Sequence, residues 1–191
     1  MKLNKIVLGL ALGLSSASLL NIAHAAPGGA GTVQFHGKIL EAACSIEQDE
    51  AAQAIEMGQV ATATLAANEN KGASNPVFFK IKLKNCSFTD AKDEEGKPVK
   101  AKKDVTVTFT GAPGGTEGLL GMTGTAKGAS IALVDPAGTL LKLNQPSSTQ
   151  TLMDGDNTLS FGAYLQGDGN KDNPIVPGEF QSVANFTLDY N

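Results

Sequence analysis

Strict two-residue alternation of apolar and polar side chains recurs along this chain, and it leaves few folds open. Phe79, Ile81 and Leu83 alternate with Lys80, Lys82 and Lys84 before Asn85-Cys86. Val105, Val107 and Phe109 alternate with Thr106, Thr108 and Thr110. Successive residues of a strand point to opposite faces, so each run describes a strand with one buried and one wet face. Leu159, Phe161, Ala163 and Leu165 form a third run, and Phe180, Ser182, Ala184, Phe186, Leu188 and Tyr190 place a fourth on one face. Ile131–Val134 and Thr139–Leu143 flank Asp135-Pro136-Ala137-Gly138, whose residue types make a tight turn. Turn-rich stretches at Gly111–Gly118, Asp154–Asn157 and Gly167–Pro177 separate the runs, while helical signals such as Ala61–Ala67 are too short to set the class. Six or more short strands with Gly- and Pro-rich turns in 191 residues predict one all-β, antiparallel sandwich of immunoglobulin-like type. No internal repeat interrupts that reading.

Met1–Ala25 has the make-up of a secretory signal peptide. Lys2 and Lys5 provide a positive start, Ile6–Leu14 an uncharged apolar stretch, and Ala23-His24-Ala25 a small-x-small cleavage pattern. The apolar run to Leu20 is interrupted by serines and falls short of the ~20 residues needed to span a bilayer. Export through an oxidising compartment makes Cys44 and Cys86, the two cysteines of the chain, one structural disulfide. Closing a loop of that length stabilises a fold by roughly 4 kcal/mol on the chain-entropy estimate.

Charge and side-chain chemistry exclude several functions. Every basic residue is Lys, and removal of Lys2 and Lys5 leaves 13 of them against 19 acidic residues. Without a cationic excess or a guanidinium, binding of nucleic acid is not expected. His24 falls in the leader, so His36 is the one imidazole that follows, and neither a catalytic triad nor a His-based metal site is expected. The carboxylate pairs Asp154/Asp156 and Asp168/Asp172 sit in turns where Asp serves the backbone, so no enzyme, cofactor or small-molecule substrate is expected. The charge-dense stretch from Asp93 to Lys103 reads as a solvated hairpin end rather than a docking patch. Asn185-Phe186-Thr187 matches a glycosylation pattern but falls inside a strand.

The two termini pose one problem together. The last alternating run ends at the final residue, with no later strand to cover its outer edge. A bare apolar edge templates another strand. Behind the flexible Pro27-Gly28-Gly29-Ala30-Gly31 stands Thr32–Ile39, in which Val33, Phe35, Gly37 and Ile39 share one face. This strand can cover its own domain, or it can enter a neighbour. Head-to-tail insertion does not close by two-fold symmetry and generates an open filament.

Gly31–Gly37, Ala42–Ile46, Met57–Val60 and Phe186–Asn191, taken in order with the leader and the cysteine spacing, resemble the chaperone–usher fimbrial subunits of Gram-negative bacteria, with the Pap and mannose-resistant Proteus-like rod pilins as the nearest type. The resemblance implies an incomplete immunoglobulin-like sandwich lacking its last strand (residues 40–191) preceded by a donor-strand extension (residues 26–39). It implies that Val33, Phe35, Gly37 and Ile39 enter a neighbouring subunit, with Gly37 where backbones approach too closely for a Cβ. It also implies a C-terminal motif made of Gly178, Phe180, Phe186, Leu188 and the penultimate Tyr190, read first by a periplasmic chaperone and then by the next subunit at an outer-membrane usher. The function it implies is the shaft of an adhesive surface fimbria. The alternatives are a minor adaptor or anchor of the same fimbria, or a secreted carbohydrate-binding adhesin module. The last is disfavoured by the absence of Trp and by having only Tyr164 and Tyr190 as tyrosines.

Overall fold

The computed structural model describes residues 31–39 and 42–191. The expected signal peptide (Met1–Ala25), Ala26–Ala30, Leu40 and Glu41 lie outside the described residues. The chain divides into two units, one ending at Ile39 and the other spanning Leu40–Asn191.

The larger unit is built from strands β1 (Ser45–Ile46), β2 (Val77–Cys86), β3 (Ala91–Lys92), β4 (Pro98–Val99), β5 (Asp104–Gly111) and β6 (Thr123–Gly124) in its first half. β7 (Ala129–Val134), β8 (Leu140–Leu141), β9 (Gln150–Thr151), β10 (Gly155–Gly167), β11 (Phe180–Gln181) and β12 (Ala184–Tyr190) follow. One sheet has the order β1-β2-β10-β7-β8 and the facing sheet the order β12-β5-β9, and every paired strand is antiparallel. Two small ribbons, β6 with β11 and β3 with β4, complete the described set.

The alternating runs become strands because their apolar faces meet in one core. Ile81 and Leu83 from β2, Leu159 and Phe161 from β10, and Val105 and Val107 from β5 are almost wholly buried. The β2 lysines and β5 threonines lie on the opposite faces, as the period demands. Phe109 of β5 meets Phe161 of β10 edge to face at 5.1 Å, with Phe79 5.9 Å from Phe161, so the aromatic centre joins the two sheets. The Cys44–Cys86 disulfide ties the chain just before β1 to the end of β2. The Asp135–Gly138 turn joins β7 to β8 as the residue types require, its backbone anchored by the Asp135 carboxylate, which accepts from Ala137 N–H and Thr139 N–H. The Asp93–Lys103 stretch contributes the turn and the second strand of the β3–β4 hairpin, where Asp93 Oδ1 accepts from Glu95 N–H and Lys97 N–H across the turn.

Three local expectations change. Gly31–Ile39 forms no strand, because a strand needs a ladder partner and this segment has none in the isolated chain. The C-terminal run is not continuous. At Ser182 and Val183 it leaves β11, paired with β6, and becomes β12, paired with β5. The Ser182 hydroxyl donates to Gly121 C=O at 2.5 Å, which fixes the jog. Of the Asp154–Asn157 turn, Gly155 to Asn157 are taken up into β10, whose register shifts between Gly155 and Asn157. The helical signal at Ala61–Ala67 yields α1 (Thr62–Asn70), which breaks at Ala67 and ends in left-handed residues Asn68, Glu69 and Asn70.

Candidate functional site

The sandwich is not sealed. A groove of about 1400 Å³ opens between the sheets, with core side chains Phe79, Ile81, Phe109, Ile131 and Leu165 among its lining. One bank is the segment 51–60, which carries no ladder and brings Ile55, Met57 and Val60 to the groove. The other is the segment 175–186, including Ile175, Phe180 and Phe186. Cavities of this size in a folded core normally fill by collapse. This one stays open because both banks are pinned to neighbouring strands. Residue Glu47 donates its N–H to Lys82 C=O at 3.0 Å, and Gln53 Nε2 donates to Lys80 C=O at 2.7 Å, so the chain around the first bank is fixed along β2. The second bank is held by the β6–β11 ribbon and by Val176 N–H donating to Lys127 C=O at 3.0 Å.

At Gly178 that bank has no room for a side chain. A Cβ there would collide with the Thr125 hydroxyl oxygen and stand 2.6 Å from Ala126 N. Backbone meets backbone at this crossing, which requires glycine. Gly178, Phe180 and Phe186 thus come together along the groove. Leu188 and Tyr190 lie further along β12, half-buried against the core rather than in the groove lining. β12 is itself the edge of its sheet among the described residues, so the outer side of its backbone is unpaired. Burial pushes the Tyr190 phenol above its ordinary pKa, with the Cys44 backbone opposing the shift. The hydroxyl oxygen is buried, with the Cys44 backbone near it but outside hydrogen-bond geometry.

The extension residues present an apolar face to solvent. Val33 is 74%, Phe35 89% and Ile39 fully exposed. Sequence reasoning placed Met57 and Val60 only within a family resemblance and missed Ile55, Leu120 and Met122 as groove residues. Ile55 leaves a weak signal because a bank without ladder bonds has no strand period to impose, and Leu120 and Met122 fall between strands, Leu120 in isolated bridges to Pro113 and Ile131.

The carboxylates set aside as turn residues serve structure. Asp154 Oδ1 accepts from Phe88 N–H at 2.8 Å, and Asp168 Oδ1 accepts from the buried Ser130 hydroxyl at 2.5 Å. Asp156 pairs with Lys84 at 2.7 Å; this contact holds the Asp156 carboxyl below its usual range and the Lys84 ammonium above its own. Among the described residues there is no cluster of three potential metal ligands, and no helix is long and apolar enough to cross a membrane.

A groove between the sheets beside an edge strand makes a fold with room for one more strand. Residues 33–191 match the family model described as Fimbrial protein. The chain belongs to that family. It is 45% identical over 191 residues to the Fimbria A protein of Serratia marcescens, covering all of this chain and 99% of that protein. Identity to the Major MR/P fimbria protein of Proteus mirabilis is 42% over 192 residues, again covering all of this chain and 99% of the relative. Among solved structures, the P pilus rod subunit PapA superimposes with a TM-score of 0.65 at 32% identity, over 78% of this chain and all of that one. A chaperone–usher pilus structure that addresses rod uncoiling gives 0.70 at 33%, over 86% and 98%. The protein is therefore a structural fimbrial subunit with an immunoglobulin-like fold, exported and assembled with neighbouring subunits into a surface fimbria.

Proposed function

We propose that the groove is the acceptor for the Val33–Ile39 segment of the next copy of this chain, and that repeated insertion builds the fimbrial shaft. The observation that carries this reading is the open groove beside the unpaired edge of β12. An inserted strand extends the sheet β12-β5-β9 by one member and satisfies the main-chain groups of that edge. Val33, Phe35 and Ile39 move from solvent to the core side, contributing roughly 1.5–3 kcal/mol each. Gly37 faces the place where the entering backbone lies closest to the banks. Before assembly, a periplasmic chaperone covers the same groove with a strand of its own, recognising Gly178, Phe180, Phe186, Leu188 and Tyr190, and an outer-membrane usher is where the two strands exchange. A shaft role, rather than that of a minor adaptor or anchor, is favoured by the relatives' description as major subunits. The test is a variant that keeps its leader but lacks Ala26–Ile39. It is expected to accumulate as a chaperone complex and to be absent behind any preceding subunit in sheared fimbriae. Normal incorporation of the shortened chain defeats the proposal.

A further inference from the structure

The strand-exchange reading gives every subunit a mechanical task, because a fimbria under tension transmits load through each extension. Cys44 follows Ile39 by five positions, so it is the first point at which a pull on the extension meets a covalent anchor. The chain immediately beyond it is held by few main-chain bonds and by partly exposed ion pairs of Glu47 with Lys82 at 3.2 Å and Lys84 at 3.9 Å, contacts that water weakens. β1 contributes two register pairs to β2, whereas β10 contributes eight. After β1 come the Glu47 N–H bond to Lys82 C=O and the Gln53 side-chain bond to Lys80 C=O, and then the groove bank 51–60. Without a stop, a pull from the N-terminal side peels residues 45–61 from the edge of β2 and takes the bank with them. The same subunit then loses its hold on the strand that follows.

We propose that the Cys44–Cys86 disulfide is a mechanical stop that diverts tension from the extension into β2 and keeps it out of the groove bank. Cys86 ends β2, whose long ladder with β10 is loaded as a unit, and residues 45–61 stay off the load path. This role is separate from the disulfide's contribution to equilibrium stability and rests on the strand-exchange reading.

The test is force-clamp extension of single sheared wild-type fimbriae, after any reversible elongation is exhausted, with and without a phosphine reductant. Reductant is expected to introduce discrete lengthening events of roughly 60 Å, the contour of 17 freed residues at ~3.4 Å each, followed by early rupture. Traces identical with and without reductant, in fimbriae whose Cys44 and Cys86 thiols are shown to be free by alkylation after the reductant step, overturn the proposal. The use of assembled wild-type fimbriae makes the result independent of whether a Cys44→Ser/Cys86→Ser variant folds. Detergent-resistant multimers that collapse on heating report strand exchange separately. Their absence defeats that reading, whereas their presence with reductant-insensitive traces overturns the mechanical role alone.

Discussion

Phe35→Ala separates a groove-filling extension from a passive tether. Phe35 is 89% exposed in the isolated chain, so nearly all of its side-chain surface is available to be buried on insertion. Truncation to Ala removes most of that gain, about 2–3 kcal/mol for a Phe passing from water to a core. Each 1.4 kcal/mol is a factor of ten, so the subunit junction weakens roughly 30- to 150-fold. The alternation supplies an internal control, since Gln34 and His36 occupy the other face of the segment. Fimbriae sheared from cells making each variant are held in detergent at rising temperature, and the decay of multimers to monomers is followed by gel mobility. Phe35→Ala multimers are expected to decay at that much higher rate, while Gln34→Ala and His36→Ala stay within about twofold of wild type. Wild-type decay for Phe35→Ala refutes the reasoning, as does equal acceleration by His36→Ala, because burial would then not follow the strand period.

Gly178→Ala forces a Cβ onto Thr125 and Ala126, so the second bank must shift; less chaperone-bound subunit and few fimbriae are expected, with immunoblots of periplasmic extracts and sheared material as the measurement. Tyr190→Phe deletes a buried hydroxyl that has no hydrogen-bond partner, so thermal denaturation of the assembled subunit should show no loss of stability, and a fall of more than ~1 kcal/mol contradicts this. Because the folded Tyr190 pKa is raised, its contribution is fully present below the unfolded value near 10 and is lost as pH rises beyond it; Tyr190→Phe should remove that part of the alkaline limb of the stability profile. Asp156 has a lowered pKa and Lys84 a raised one, so their pair contributes evenly from pH 5 to 9, fading below pH 3.8 and above 10.5; Asp156→Asn should alter the acid limb and leave the neutral plateau flat, as read by chemical denaturation across pH.

Legibility in the sequence followed solvent. β2 and β5 were readable because water covers one face of each, and the lysines and threonines record it. β7 was less readable, since Ala132 and Val134, on the outward side of its pleat, are buried as well and erase the alternation. The break between β11 and β12 depends on contacts with Gly121 and β6, far away in sequence, so an unbroken alternating run concealed it. The 51–60 bank left almost no trace, because a segment held by a side-chain bond and by its neighbours has no period of its own. The extension shows the opposite limit. Its alternation states which residues share a face, but alternation names no partner, and the isolated chain accordingly shows no ladder there.

The chemistry of β12 argues that the open edge is meant to be covered. Exposed edges in soluble sheets are blunted by proline, a bulge, or inward-pointing charge. β12 has no proline, and its register with β5 runs unbroken from Ala184 to Tyr190. Phe186, Leu188 and Tyr190 turn toward the core, and the sole charge, Asp189, lies on the other face. Such an edge invites indiscriminate pairing if it is left bare in a concentrated compartment. A cover shaped like a strand removes the hazard, and if the cover is another copy's extension, the same event joins two subunits. Under the strand-exchange proposal, the feature that would make a free subunit prone to aggregation is also the one that makes the filament, and protection and assembly depend on the same seven residues of backbone.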